Sequence, residues 1–313
     1  AERQEAQKNQ VWTFKKCAEA YISAHEPSWK NKKHAQQWRN TLTQYANPVF
    51  GDLPVEEIST QLVMQAIEPI WQTKTETASR VRGRIERVLS WAIVNEYRPH
   101  PNPALWRGNL MELLAAPAKI ARTVHHPALP YQQIDSFVQS LGEHESTNAK
   151  ALYFTILTAC RTSEVLGASW NEIDFSEETW TIPANRMKSE RPHRVPLSKQ
   201  AIELLNGLDR ENNWLFPSPQ YGKHLSNMAM LNLLKKQLGY SDLTIHGFRS
   251  TFRDWVAEQT TYQRELAEAA LAHVLGDKTE AAYQRGDMLE KRAELMQDWA
   301  NYVSGLANEA SPN

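Results

Sequence analysis

The stretch TILTACRTSEVLGASW, residues 155–170, marks the point at which the pattern of the chain changes. Before it, apolar residues recur at helical spacing in Tyr131–Leu141 and Ala149–Cys160. After it, Trp170–Phe175, Thr179–Pro183 and His193–Leu197 are rich in β-forming residues and predict a small antiparallel sheet. Helical spacing then returns in Lys199–Leu208, Asn227–Gln237, His246–Gln259, Tyr262–Ala272 and Met288–Ser304. We therefore expect a mainly α-helical chain with one small antiparallel sheet, in which an α+β domain is preceded by a helical domain.

The first part of the chain predicts a separate helical domain. Its helical segments are Val11–Ser23, Trp38–Tyr45, Leu62–Ile70 and Ala78–Val94, and the last carries an apolar stripe with arginines on the opposite side. Residues 117–130 (PAKIARTVHHPALP) contain three prolines and no helical period. The predicted parts are residues 1–10 as a polar linker remnant, 11–116 as the helical domain, 117–130 as the interdomain linker and 131–313 as the α+β domain with a helical tail.

Composition excludes several classes of protein. The 313 residues carry a formal net charge of −1, so the chain is not basic overall. The charge is uneven, because residues 1–120 hold 16 Lys and Arg against 12 Asp and Glu, whereas the remainder holds 19 against 24. Two cysteines are too few for a disulfide framework or a cysteine zinc site, which favours a reducing cytoplasm. No apolar run reaches the roughly 18 residues of a membrane span.

Five segments place phosphate-compatible or nucleophilic side chains at element boundaries. Arg161 ends an apolar helix and precedes Glu164; either it forms a salt bridge with Glu164, or Glu164 holds its guanidinium towards a phosphate. The helix-start pair His246 and Arg249 lies on one face at i, i+3, and the alternative is a capping histidine with a surface arginine. The remaining three are Lys188 on a hairpin tip, His273 at a helix end and Tyr283.

Taken together, these side chains predict metal-free phosphoryl transfer. Two arginines and two histidines can stabilise a pentacoordinate phosphorus transition state. A tyrosine can attack and form a covalent phosphotyrosine, and a lysine can protonate the leaving oxygen. The sequence shows no acidic cluster of nuclease type, so we expect no metal and no other cofactor.

The order of these residues resembles the tyrosine recombinases, or phage integrases, over about residues 125–304. Arg161 stands in ACRTSEVLGASWNEIDF, Lys188 in the hairpin MKSERPHRVPLS and His246-x-x-Arg249 in HGFRSTF. Leu271-x-His273-x-x-Gly276 and Tyr283 match the last motif. VHHPALPYQQI and AAYQRGDMLEKRAELMQDWANYV are most similar to the integrases of satellite phages and genomic islands, and residues 11–107 resemble that family's core-type DNA-binding domain.

The resemblance implies a site-specific recombinase that inserts or removes a mobile element. Tyr283 would attack the scissile phosphate and form a 3′-phosphotyrosine, and Lys188 would be the general acid. Arg161, Arg249, His246 and His273 would bind the phosphate. The family acts as four protomers on two DNA duplexes, with DNA-bending and directionality factors. Its C-terminal tail commonly packs on a neighbouring protomer, and the amphipathic Met288–Ser304 is a candidate for that contact. An additional amino-terminal arm-binding domain is expected to precede the present start.

Double-stranded DNA attachment sites are the expected partner, bound by basic residues of both domains in the bacterial cytoplasm at the nucleoid. The predicted DNA contacts are Lys30, Lys32, Lys33, Arg39, Arg80, Arg82, Arg84, Arg87, Arg186 and Arg191. Two alternatives remain: a non-catalytic DNA-binding regulator on the same fold, and a topoisomerase of the related tyrosine class.

Overall fold

A computed structural model describes residues 11–29, 32–121, 127–273 and 286–306. The chain divides into two compact units, residues 1–124 and 125–313, each with its own hydrophobic core. The division falls inside the proline-containing segment 117–130, in which residues Pro117–Ile120 form a short helix. Among the described residues, no helix is long and apolar enough to cross a membrane.

The first unit is helical. Its helices are α1 (Phe14–His25), α2 (Lys32–Thr41), α3 (Asn47–Phe50), α4 (Thr60–Trp71), α5 (Thr75–Val94) and α6 (Pro117–Ile120). The predicted apolar stripe of α5 is confirmed, since Val81, Ile85, Val88, Leu89 and Ala92 are all buried. The α4 helix begins where the hydroxyl of Ser59 accepts a hydrogen bond from the backbone N–H of Leu62.

The helix predicted over Trp38–Tyr45 is not a continuous α-helix. After α2 the chain widens into a π-helical turn, Leu42–Ala46, and the N–H of Asn47 bonds to the carbonyl of Leu42. The next residue, Pro48, has no N–H to donate to an α-helical ladder. The wider turn therefore leads directly into α3.

The second unit contains α7 (Ile134–Gly142), α8 (Thr147–Thr158), α9 (Thr162–Leu166), α10 (Lys199–Asn206), α11 (Ala229–Asn232), α12 (Gly247–Gln259), α13 (Arg264–Ala270) and α14 (Leu289–Val303). Its sheet is antiparallel in the order β1 (Ile173–Asp174), β2 (Thr179–Ile182), β3 (His193–Pro196). Trp180 of β2 pairs with Ile173 on one side and Val195 on the other. The mainly helical fold with a small antiparallel sheet is confirmed.

The first strand is shorter than predicted. Residues Trp170–Glu172 form a 3₁₀ turn, and only Ile173 and Asp174 pair with β2. The carboxylate of Asp174 accepts hydrogen bonds from the backbone N–H groups of Ser176 and Glu177 at 2.9 and 3.0 Å, which turns the chain immediately after the strand.

Helix α14 packs into the core of its own unit, whereas the family resemblance implied a tail that packs on a neighbouring protomer. Leu295, Met296, Trp299 and Val303 are buried, and the indole N–H of Trp299 donates to the carbonyl of Ile156 at 2.8 Å. The amphipathic pattern of the sequence required an apolar partner for this face, and the structure supplies that partner from α8 within the same chain.

Candidate active site

Arg161 is held at a helix start in the middle of the second unit. Ala159 adopts a left-handed conformation (φ 50°) that ends α8, and Arg161 is the residue that caps α9. The buried carboxylate of Glu164 accepts hydrogen bonds from the backbone N–H and from Nη1 of Arg161, both at 2.8 Å. The Arg161 side chain stays 24% exposed. The salt bridge with Glu164 is therefore present, and it fixes the guanidinium while part of it stays exposed. That Glu164 holds Arg161 towards a phosphate stays a prediction.

Arg249 lies beside the same segment and is almost completely buried. Its Nη1 donates to the carbonyl of Ala159 and its Nη2 to the carbonyl of Leu271, the latter at 2.6 Å. Burial lowers the pKa of the Arg249 guanidinium, although an arginine remains charged at neutral pH. Its Nε has no hydrogen-bond partner within the described part of the chain. One donor of the guanidinium is therefore buried without a hydrogen-bond partner among the described residues.

The position of Arg249 follows from how α12 begins. Gly247 sits against the backbone of residues 127–128, where a Cβ would come 2.6 Å from the carbonyl oxygen of Pro127. The hydroxyl of Thr251 donates to the carbonyl of Leu129 at 2.6 Å. His246 precedes the helix, is exposed and makes no side-chain capping hydrogen bond. Glycine at position 247 thus lets α12 lie directly on this segment, with Arg249 facing the core.

His273 follows α13, after a left-handed Ala272 (φ 49°). Its Nε2 lies 3.2 Å from Nη2 of Arg249 and its Nδ1 lies 2.6 Å from a carboxylate oxygen of Glu268. Arg161 also reaches this segment, because its Nη2 donates to the carbonyl of Ala272 at 3.4 Å. The structure therefore brings together three predicted residues that are far apart in sequence.

Lys188 lies elsewhere in the second unit, exposed on the turn of the hairpin between β2 and β3. Among the described residues, no hydrogen bond or ion pair joins it to the Arg161–Arg249–His273 cluster. Tyr283 lies outside the described residues. Within the described ranges, no group of three His, Cys, Asp or Glu side chains is arranged to hold a metal ion.

The hairpin arginines differ in their surroundings. Arg186 pairs with Glu172 and donates to the backbone carbonyl of Glu164, so it anchors the base of the hairpin to the Arg161 segment. Arg191 is exposed near the hairpin tip.

The predicted DNA contacts of the first unit likewise include side chains bound within the protein and side chains that are exposed. Arg82 is largely buried, pairs with Glu86 and donates to the carbonyl of Ala104 at 2.9 Å. Arg84 bonds to Gln37 and Thr41 and lies over the ring of Trp38, and burial lowers its pKa. Residues with greater exposure or surface ion pairs are Lys33, Arg87, Arg80 beside Glu76, and Arg39 between Glu19 and Glu26. Lys30 and the side chain of Lys32 lie outside the described part.

Helices α2 and α5 border a cleft of about 340 Å³ in this unit. Its polar and basic lining includes His34 and Gln37 from α2 and Arg80, Arg84 and Arg87 from α5. Gly83 lies on the same face, and a Cβ there would meet no atom within 4 Å. The cleft is therefore open and lined by cations.

Sequence reasoning missed a buried arginine, Arg292, in the tail helix. The Arg292 side chain is 1% exposed, and it donates to the carbonyls of Asp287 and Arg194, both at 2.8 Å. Arg194 in turn pairs with the carboxylate of Asp287. The cluster ties the chain that follows residue 285 to strand β3. The sequence signal for this buried residue was its position, because Arg292 lies on the otherwise apolar stripe of α14.

Comparisons with known proteins match both units of the chain to integrases. The profile of the phage integrase family matches residues 128–290, and that of the phage integrase central domain matches residues 14–109. Prophage integrase IntZ of Escherichia coli K12 is 31% identical over 97% of this chain and 74% of its own length. The integrase of Enterobacteria phage P4 is 27% identical over 97% and 72%, respectively. Among solved structures, a lambda integrase tetramer bound to a Holliday junction aligns with a TM-score of 0.67 at 14% identity, covering 85% of this chain and 79% of that one.

Proposed function

Because this chain belongs to the phage integrase family of tyrosine-type site-specific recombinases, we propose that it cleaves and rejoins DNA through a 3′-phosphotyrosine on Tyr283. In this reaction the phenolic oxygen of Tyr283 loses its proton and bonds to the scissile phosphorus. The bond from phosphorus to the 5′-oxygen breaks, and that oxygen takes a proton from Lys188. Attack by a 5′-hydroxyl from a second strand reverses the step and releases the tyrosine.

The observation that carries this proposal is the convergence of Arg161, Arg249 and His273 from three separate segments. Each guanidinium is fixed by backbone or carboxylate acceptors before any ligand binds. The Arg161 side chain is 24% exposed, so part of its guanidinium can meet a phosphate oxygen from solvent. Preorganised donors of this kind stabilise the charge that develops on a transferring phosphoryl group. His246, at the start of α12, would add a contact to the phosphate beside those of Arg161 and Arg249.

For DNA binding we propose the cleft of the first unit together with the hairpin of the second. Arg80, Arg84 and Arg87 line the cleft, and Arg191 and Lys188 lie on the hairpin. Contacts from guanidinium and ammonium groups to phosphates position a protein on DNA without reading its sequence. The first 120 residues hold 16 Lys and Arg against 12 Asp and Glu, and this excess of positive charge supports the assignment of DNA binding to the first unit.

The proposed partner is a double-stranded attachment site, held by a homotetramer that exchanges strands between two duplexes in the bacterial cytoplasm. The lambda integrase tetramer on a Holliday junction supports this assembly, because its fold is shared by this chain. The proposed outcome of the reaction is insertion or removal of a mobile element, and DNA-bending and directionality factors are proposed as additional partners. The similarity to prophage and phage integrases supports this part of the proposal.

Trapping the covalent adduct tests the proposal. A pool of nicked duplexes with randomised cores lets the short 5′-hydroxyl fragment diffuse away, so that cleaved DNA stays attached to protein. Mass spectrometry should then place the DNA on Tyr283, and sequencing should give the bound site. Tyr283→Phe should form no adduct, whereas Tyr221→Phe, at a position that is 97% exposed, is the matched control and should form it normally.

Other results would contradict the proposal. An adduct on a different residue, or one formed by Tyr283→Phe, would remove the nucleophile assignment. DNA binding without any adduct would favour the regulator, and relaxation of supercoils without exchange between duplexes would favour the topoisomerase.

A further inference from the structure

We propose that Glu268 is a positioning residue that fixes the ring orientation and the tautomer of His273. This inference deepens the proposed function and rests on it, since it assigns a role within the same phosphate-binding cluster. Glu268 does not reach the substrate itself and acts through the imidazole.

Glu268 holds His273 at two points. Its carboxylate Oε2 lies 2.6 Å from Nδ1 of the ring, and its backbone carbonyl accepts a hydrogen bond from the backbone N–H of His273 at 2.9 Å. The Glu268 side chain is only 8% exposed, whereas that of His273 is 38% exposed. The ring is therefore anchored on its buried edge by Glu268 and remains partly open.

The carboxylate determines which ring nitrogen carries the proton. A carboxylate accepts hydrogen bonds and does not donate them, so Nδ1 must carry the hydrogen. In the neutral ring, Nε2 then has a free lone pair, and it lies 3.2 Å from Nη2 of Arg249, which can only donate. The opposite tautomer would place two donors against each other at Nε2 and would leave Nδ1 as an acceptor facing a carboxylate.

Two exposed guanidiniums balance the charge of the buried carboxylate. Nε of Arg253 lies 2.9 Å from Oε1 of Glu268, and Nε of Arg264 lies 3.9 Å from the same oxygen. Arg253 is one helical turn beyond Arg249 on α12. The carboxylate thus lies between the cations of α12 and α13 on one side and the imidazole on the other, which keeps Oε2 directed at His273.

The first experiment compares Glu268→Gln with Glu265→Gln, which removes the same charge from an exposed position in the first turn of α13. With ¹⁵N-labelled histidine, the ring nitrogen shifts of His273 should report a proton on Nδ1 in the wild type and in Glu265→Gln. They should change in Glu268→Gln, because an amide can donate to Nδ1 and favour the other tautomer. This readout needs no cleavage activity, and an unchanged tautomer in a folded Glu268→Gln protein would overturn the inference.

The second experiment measures the rate of adduct formation on the nicked substrate. Glu268→Gln should slow the reaction about 10- to 100-fold, the usual effect of removing a carboxylate that orients a functional histidine at a metal site. Glu268→Asp, which keeps the carboxylate, should recover part of that loss. In a His273→Ala background, Glu268→Gln should add no further loss, because Glu268 acts only through the imidazole.

The outcomes separate the two proposals. If the wild type forms no adduct on any duplex, the proposed function fails while the tautomer result still stands. If the wild type forms the adduct and Glu268→Gln reacts as fast as Glu265→Gln, the positioning role is wrong. An additional loss in the His273→Ala background equal to that in the wild type would show that Glu268 acts elsewhere. Should Glu268→Gln fail to fold, Glu268→Asp and its ring shifts carry the test.

Discussion

Lowering the pH from 7 to 5 should destabilise the second unit through His193, the first residue of β3. This imidazole is half-buried, and its Nε2 has no hydrogen-bond partner within the described part of the chain. Burial lowers the pKa of His193 from 6.5 to about 4, and the charges of Arg292 and Arg161 act in the same direction. The charge of Glu164 and a hydrogen bond with the backbone of Ala270 oppose the shift without cancelling it.

The direction of the effect follows from proton binding. In the unfolded chain the ring takes up a proton near pH 6.5, whereas in the folded protein it does so near pH 4. Between these values the unfolded state binds more protons, so the free energy of unfolding falls as the pH falls. Below pH 4 both states are protonated and the loss is complete. One pKa unit corresponds to 1.36 kcal/mol, which gives a total loss of about 3 kcal/mol and a loss of about 2 kcal/mol between pH 7 and pH 5.

The assay compares the wild type with His193→Gln, whose amide is polar but does not titrate. Urea unfolding at pH 7, 6 and 5, followed by hydrogen exchange in peptides from α8 and β3, isolates the second unit from the first. The wild type should lose about 2 kcal/mol more than the variant over this range. The lowered pKa of Asp287 does not interfere, because its contribution is lost only below its ordinary value of 3.8. If both proteins lose the same free energy, the neutral state assigned to His193 is wrong.

Two further pairs of substitutions test the fold and the DNA face. Gly247→Ala should destabilise the protein by about 1–3 kcal/mol, because its Cβ would meet the carbonyl of Pro127 at 2.6 Å. Gly83→Ala should stabilise it by about 0.5–1 kcal/mol, since no atom lies within 4 Å of the added Cβ. Thermal unfolding measures both changes, and equal effects of the two substitutions would contradict the contact at Gly247. Arg87→Ala should reduce the slope of log affinity against log salt by about 1 on every duplex, because the exposed Arg87 is assigned to a phosphate. Arg82→Ala should lower stability and leave that slope unchanged, because Arg82 is paired within the protein. A slope that responds to Arg82 and not to Arg87 would reverse these two assignments.

Much of the fold could be predicted from local sequence. The apolar stripe of α5 and the β-rich segments around Trp180 identify their elements, because side-chain periodicity reports which face is buried. Element ends were less predictable. The wide turn before Pro48 and the short β1, which follows a 3₁₀ turn and ends at Asp174, depend on a few local hydrogen bonds, for which periodicity carries no signal.

The Arg161–Arg249–His273 cluster could be predicted as a set of residue types but not as an arrangement. Arg161, Arg249 and His273 stand out in sequence because each lies at a helix boundary beside apolar residues. Glu268 gave no such signal, since a separation of five residues from His273 matches neither helical nor strand spacing. Tyr283, assigned from the resemblance to the tyrosine recombinases, remains a prediction.

The sequence by itself determined the helical periods, the change to a small sheet after residue 170, the order of the reactive residues and membership of the phage integrase family. Tertiary structure alone decided which cations are already satisfied and which are open. Arg82 is satisfied by the carbonyl of Ala104 and Arg186 by Glu172 and the carbonyl of Glu164, whereas Arg161 keeps 24% of its side chain exposed beside its bond to Glu164. The physical reason is that a guanidinium in sequence carries the same charge wherever it lies, and only acceptors contributed by other segments of the folded chain determine whether its donors remain available for a phosphate.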